Sequence, residues 1–384
     1  MEQARERTSW ARLAIGLAIV ALAVLYLKHG ALAAEAVRRG LTLCAKTMIP
    51  SLFPFMVIAE LAVQSGVGQM LARPFVRLFG RVLGVSESGG CALVLGMLCG
   101  FPVGAKVAAS CYKDGAMDVW EFNHVLGMCS VPSAAFLVGA VGKGLLGSAP
   151  IGKALLGLTI FSALAVGLLL RLVPWARSSN VARRSGGAPA HNKPDASLLS
   201  SSISSAANGM LGVCATVVVF SALMGVLEVY AEALGLSGTA RAALCGLLEL
   251  STGTARAATL KMTEASVLCA AMAGWAGLSV HCQMLSACDG CPVLLGRFWI
   301  SRALQAVLCG GGMWLLLRMG YVKAPSVPSI SPVGPVASES VWLHVWQSIC
   351  MIGFWAAIAL LWMKRGKGGG EREAKKTAVA ENER

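Results

Sequence analysis

Several stretches of this sequence set polar or helix-breaking residues inside apolar surroundings. The most distinctive is Gly100-Phe101-Pro102-Val103-Gly104-Ala105-Lys106. Glycine permits close backbone approach and proline interrupts the hydrogen-bond ladder, so the chain is expected to break here. N–H groups freed at the start of a half-helix would face a polar or anionic ligand. Lys106 adds a positive charge that is costly in a membrane unless paired or hydrated. The alternative is a simple kink with Lys106 reaching to the interface. Glu249 stands mid-segment among apolar residues and is followed by Ser251, Thr252 and Gly253. An intramembrane carboxylate points to proton or cation coupling, or else to a structural pair with Lys106 or Arg256. Cys129-Ser130-Val131-Pro132-Ser133 places a proline between two serines, where local unwinding would free backbone groups that the hydroxyls could satisfy. Ser279 and Gln283 share a helix face, with His281 between them as a ligand-facing or a merely packed residue. Glu60 and Gln64 follow Pro50 and Pro54, and either face a pore or sit near the membrane surface. The candidate solute-binding set is therefore Gly100, Pro102, Gly104, Lys106, Ser130, Ser133, Ser251, Thr252, Gly253, Ser279, His281 and Gln283, with Glu249 as the coupling residue.

No phosphate loop, nucleophile elbow or H-E-x-x-H is present, so an enzyme is not expected and neither a cofactor nor a bound metal is called for. Most cysteines lie in apolar runs, where they act as small packing residues. Cys288 and Cys291 form a C-x-x-C, but no second pair or thioredoxin-like context accompanies them.

Such polar residues need elements to position them, and composition says which kind. The 384 residues are 56% hydrophobic and 14% charged, with a mean hydropathy of +0.68. Soluble domains carry about 25% charge, so a water-soluble protein is a poor fit. The 44 glycines suit closely packed membrane helices. The net charge of +14 reads as basic cytoplasmic loops rather than nucleic-acid binding, since no basic-aromatic motif accompanies it.

Apolar runs occur at 13–27, 47–64, 88–111, 122–142, 154–170, 208–227, 265–286, 299–317 and 342–363. The first follows Arg5, Arg7 and Arg12; Lys28-His29-Gly30 separates it from Ala31-Leu32-Ala33, which favours an uncleaved helix over a signal peptide. Residues 31–46 mix charge with apolar residues and are expected on the membrane surface. A polar, basic linker and a Pro/Ser-rich one at 321–340 divide the chain. Basic residues place both termini and the first linker in the cytoplasm, and the second linker outside. That parity holds only if 88–111 and 239–261 each enter and leave on one side, as re-entrant hairpins. The segment with Arg73, Arg77 and Arg81 then forms an inner loop. Cys288 and Cys291 also fall on the inner side. Setting 92–109 against 242–259 aligns Ala92 with Ala242, Gly96 with Gly246, Leu98 with Leu248, Ala105 with Ala255, Ala108 with Ala258 and Lys106 with Arg256. Similar units of opposite orientation are the pattern of an inverted-repeat transporter.

The expected fold is all-α: a polytopic membrane helix bundle with about eight spanning helices and two re-entrant hairpins arranged as an inverted repeat. Its expected divisions are a first helix and surface helix (1–46), one repeat (47–175), a cytoplasmic linker (176–207), a second repeat (208–320), an external linker (321–340), and a last helix with a basic tail (341–384).

Leu52-Phe53-Pro54-Phe55, Gly100–Lys106, Gly246–Gly253 and Gly277–Gln283 resemble, in order, strings of the YlbJ-type sporulation integral membrane proteins, which are placed in the nucleoside-recognition, or Gate, group. That group also includes parts of concentrative nucleoside transporters and of a ferrous-iron transporter. Family members resemble Asn-Ser-Gly-Pro at the middle-helix break. Here the residues are Ser130-Val131-Pro132-Ser133, a departure from that pattern. The resemblance implies an inner-membrane protein of a spore-forming bacterium with two hairpins meeting at the midplane. The expected function is binding or moving a small polar solute, and the alternative is a non-transporting structural membrane protein needed for spore formation. The expected partners are the lipid bilayer and that solute, with no nucleic acid, and a homo-oligomer stays open.

Overall fold

The structure is a computed structural model that describes residues 16–17, 19–172 and 197–322. The first linker up to residue 196, nearly all of the second linker, the last apolar run and the tail lie outside the described residues. Every regular element described is helical.

Helix α1, Ile19–Lys28, meets the following segment, Gly30–Lys46, at a bend of 94°. Helix α2, Gly30–Leu43, presents Ala33, Ala36 and Gly40 as a small-residue face. This face packs antiparallel on helix α9, Ser197–Ala233. A Cβ on Gly40 would fall 2.6 Å from the Ser221 hydroxyl, and one on Gly225 would fall 2.6 Å from the Ala36 methyl. Small residues let membrane helices approach this closely. The segment expected on the membrane surface is therefore a bundle helix. Only its outer face is charged, with Glu35 3.7 Å from both Arg38 and Arg39.

A π turn, Cys44–Met48, leads into α3, Ile49–Gln64, which contains Pro50 and Pro54. Proline removes an N–H from the ladder, and a π turn is one way a helix absorbs that loss. Residues 67–83, expected as a loop, form helix α4, Val67–Leu83. Its apolar residues share one face, so the arginines did not prevent helix formation. The Arg171 guanidinium donates to the carbonyls of Arg81 (3.2 Å) and Val82, closing its carboxyl end.

From residue 87 the two halves of the chain run through a similar order of elements. The first contains α5, Glu87–Cys99, and α6, Phe101–Lys113, then α7, Val119–Cys129, a break, a π-helical segment, Ala135–Leu145, and the 24-residue α8, Ala149–Leu172. The second contains α10, Gly238–Leu248, and α11, Leu250–Ala257, then α12, Met262–Trp275, a break, α13, Leu278–Ala287, and the 24-residue α14, Leu295–Arg318. Side-chain caps fix several starts: Ser86 accepts from the Gly89 N–H, Asp118 from Glu121 and Ser237 from Ala240.

The α5–α6 and α10–α11 pairs are hairpins whose arms touch through glycine. A Cβ on Gly104 would lie 2.6 Å from Cα of Gly96, and one on Gly253 would lie 2.3 Å from Cα of Gly246. Three apolar cores result. One fills the first half and another joins α8 to α10, α12 and α14. The third belongs to α2, α3 and α9, with Cys44, Met48, Met56, Ala206, Met210 and Val217 buried in it.

Four helices are long and apolar enough to cross a membrane: α8, α9, the 262–287 stretch and α14. Two bent pairs, Ile19–Lys28 with Gly30–Lys46 and Arg73–Leu83 with Glu87–Cys99, raise the number to at most six among the described residues if each pair counts as one span. The expectation of about eight differs for local reasons. The run at 122–142 is split by its break, α3 is short, and the last run lies outside the described residues.

Candidate functional site

At the first hairpin tip, Gly100 adopts φ 91°, ψ −173°. This left-handed region favours glycine. Its Cα faces the break in the next helix: a Cβ here would lie 3.0 Å from both Cβ and N of Ser133. The break frees carbonyls at the end of α7, and α14 meets them. Arg302, fully buried, donates to the carbonyls of Ser130 and Gly127, and Gln305 Nε2 donates to Gly127 at 2.8 Å. The Ser130 hydroxyl donates to the Leu126 carbonyl at 2.8 Å, and the Ser133 hydroxyl accepts the Phe136 N–H at 3.3 Å.

The second half is built alike. Its helix breaks at Ala276 and Gly277, with φ of 78° and 82°. A Cβ on Gly277 would lie 3.0 Å from the Leu250 nitrogen and 3.3 Å from the Glu249 backbone. His281 Nε2 donates to the freed Trp275 carbonyl at 2.8 Å, and the Trp275 indole donates to the Leu247 carbonyl at 3.0 Å. Glu249 itself forms the hairpin tip. Its backbone is extended, and its carboxylate accepts the N–H groups of Ser251 (2.9 Å) and Thr252 (2.6 Å). It thus caps α11 while only 2% exposed.

Both tips open onto one cavity of about 610 Å³, counting its open mouth. Cys99, Gly100 and Phe101 form one side and Glu249, Leu250 and Ser251 the other. Ser133, Phe136, Val280 and Gln283 come from the broken helices. The far wall is Met48, Leu52, Phe55 and Met56 of the α3 region with Val213 and Val217 of α9. Gln283 Nε2 donates to the Thr216 hydroxyl of α9 at 2.5 Å.

Of the candidate residues, Gly100, Ser133, Glu249, Ser251 and Gln283 line this cavity. The others do not. Gly104 and Gly253 are the arm contacts of the hairpins. Lys106 is drawn to Glu60 of α3 at 3.2 Å, so neither residue faces the cavity. Arg256 pairs with Glu228 of α9. Neither cation pairs with Glu249. Gln64 accepts the Ser201 hydroxyl at 2.7 Å. Ser130 is consumed by the break, Thr252 by the cap, and His281 by the Trp275 carbonyl and the rings of Trp275 and Phe298. Ser279 is fully buried away from the cavity. Pro102 occupies the first turn of α6, and its side chain lies outside the described residues.

Arg302 and Gln305 are break-holding residues outside the candidate set read from the sequence. The signal was there: a lone arginine in the 299–317 run, with a glutamine three residues on and so on the same helix face. The apolar walls gave no signal, since their residues look like any buried face.

The four strings that border this cavity or its hairpins are also those that carry the family resemblance. The chain is similar to the sporulation integral membrane protein YlbJ of Bacillus subtilis (strain 168). The two are 24% identical over 330 residues, covering 77% of this chain and 80% of that protein. No family model matches the chain, and no solved structure matches it. The apolar helices and this similarity make the chain an integral membrane protein.

Proposed function

We propose that this protein is a permease of the bacterial inner membrane, with cytoplasmic termini, that binds a small solute between its two hairpin tips. The observation that carries the reading is convergence. Two glycine-packed hairpins and two broken helices, from halves offset by 150 residues in the alignment of 92–109 with 242–259, meet at a cavity that holds a buried carboxylate. Broken backbone at membrane depth is tolerated where it is buried in protein or lines a cavity. Discontinuous helices at the junction of two similar units are how many secondary transporters build their sites. On this reading the halves are an inverted repeat of Gate type, and Glu249 is the coupling residue.

The experiment is a thermal-shift screen of the detergent-purified chain against nucleosides, nucleobases, amines, organic acids and divalent metals, with Glu249→Gln alongside. A ligand at about 100 times its Kd adds about 2.7 kcal/mol to the folded state. A shift in the parent that disappears in a folded Glu249→Gln protein supports the proposal.

A second reading is a structural membrane protein of spore formation, which the printed name of the similar Bacillus protein favours. Under it no solute stabilises the protein, and Glu249→Gln changes spore assembly or nothing.

A further inference from the structure

The charge on the cavity wall narrows the solute. We propose that it is a small organic cation, a protonated amine on an apolar or aromatic body. This rests on reading the cavity as a solute site. Glu249 is the one carboxylate on the described wall, and no lysine, arginine or histidine stands on it. The cations that the sequence placed nearest are neutralised elsewhere, Lys106 by Glu60 and Arg256 by Glu228. The cavity wall thus carries one acid and no base.

The Glu249 carboxylate is oriented by its own helix. One oxygen accepts the Ser251 N–H and the other the Thr252 N–H. Each carboxylate oxygen has room for a second donor, and an ammonium group supplies up to three. An anion in the same place would meet the carboxylate in a low-dielectric setting, where like charges repel strongly.

The rest of the wall selects the body. Phe55, Phe101 and Phe136 supply rings, whose faces attract cations. Met48, Met56 and Val217 offer a surface on which a hydroxyl-rich neutral solute would lose its water without replacement. Gln283 already spends an amide hydrogen on Thr216, so few polar groups remain to meet such a solute.

The test uses the full chain in detergent and three probes of nearly one shape: phenethylammonium, 2-phenylethanol and phenylacetate, at matched ionic strength. The set is repeated with benzyl and butyl bodies, so that body size is varied independently of charge. The expected result is a rise in melting temperature with the ammonium members and at least tenfold weaker binding of the neutral ones. The response is expected to vanish in Glu249→Gln and to persist in Lys106→Gln. Equal shifts for neutral and cationic probes, a shift with the carboxylates, or an ammonium response retained in Glu249→Gln would each overturn the charge assignment while leaving the cavity a binding site. No shift with any probe, from folded protein, would overturn this assignment; the solute-site reading falls only when the wider screen of nucleosides, nucleobases, organic acids and metals is silent as well. Should Glu249→Gln fail to fold, the parent series decides the charge by itself.

Discussion

Arg302 shows how much one side chain can hold in this protein. It is fully buried, and no carboxylate pairs with it among the described residues. Its partners are instead the Gly127 and Ser130 carbonyls, left open where α7 stops. A cation at a helix carboxyl end is favourably placed against the dipole, and the planar fork can serve both oxygens. Arg302→Met should therefore strand two buried carbonyls and cost about 3 kcal/mol or more, read as a lower melting temperature in detergent. Arg302→Lys keeps the charge but loses the fork, and should fall between the two. Glu249→Gln also alters a cap, since an amide cannot accept both the Ser251 and Thr252 N–H groups equally. A loss of about 1 kcal/mol is expected, small enough for the variant to stay folded and be tested for ligand response.

The hairpins depend on contacts between elements. Gly246 and Gly253 bring the arms of α10 and α11 within reach of one another, and a Cβ on Gly253 would lie 2.3 Å from Cα of Gly246, against backbone that cannot rotate away. Gly253→Ala should push the arms apart at a cost of about 1–3 kcal/mol or more. Gly235→Ala, where nothing lies within 4 Å but φ is 65°, should cost less. Each hairpin is also tied by its second arm to a helix of the opposite wall, Lys106 to Glu60 of α3 and Arg256 to Glu228 of α9. The Lys106 side chain is 41% exposed, so its pair is partly screened and should contribute less than about 1 kcal/mol. A double-mutant cycle with Glu60→Lys and Lys106→Glu should show coupling: each single change destabilises, and the exchange restores much of the loss. Additive losses would mean that the pair carries no interaction energy.

For the whole molecule, orientation in the bilayer is assigned by charge bias and not by packing. Cys291 is partly exposed on the loop between α13 and α14. Cys288 is buried, with its thiol directed at the Ala105 carbonyl at 3.9 Å. A membrane-impermeant maleimide should thus reach Cys291, and only from the cytoplasmic side. Loss of that label in Cys291→Ser checks the assignment. Labelling from outside alone would reverse the topology.

The sequence by itself determined the breaks, because their causes are local. Gly100 and Pro102, Pro132 between serines, and the polar string after Glu249 each interrupt a helix whatever surrounds them. It also pointed to two runs that fold back on themselves, as the glycine contacts between the arms of α5–α6 and α10–α11 show. What it left open were the destinations of long side chains. Lys106 and Arg256 have partners on other helices, and Arg302 reaches carbonyls 172 and 175 positions away. Only the tertiary structure decides such pairings, because a charge in an apolar bundle goes to whichever partner packing brings within reach. For the same reason the cavity proved more apolar than its motifs implied. Its far wall belongs to α3 and α9, and only their docking against the hairpins made those ordinary methionines, phenylalanines and valines part of a site.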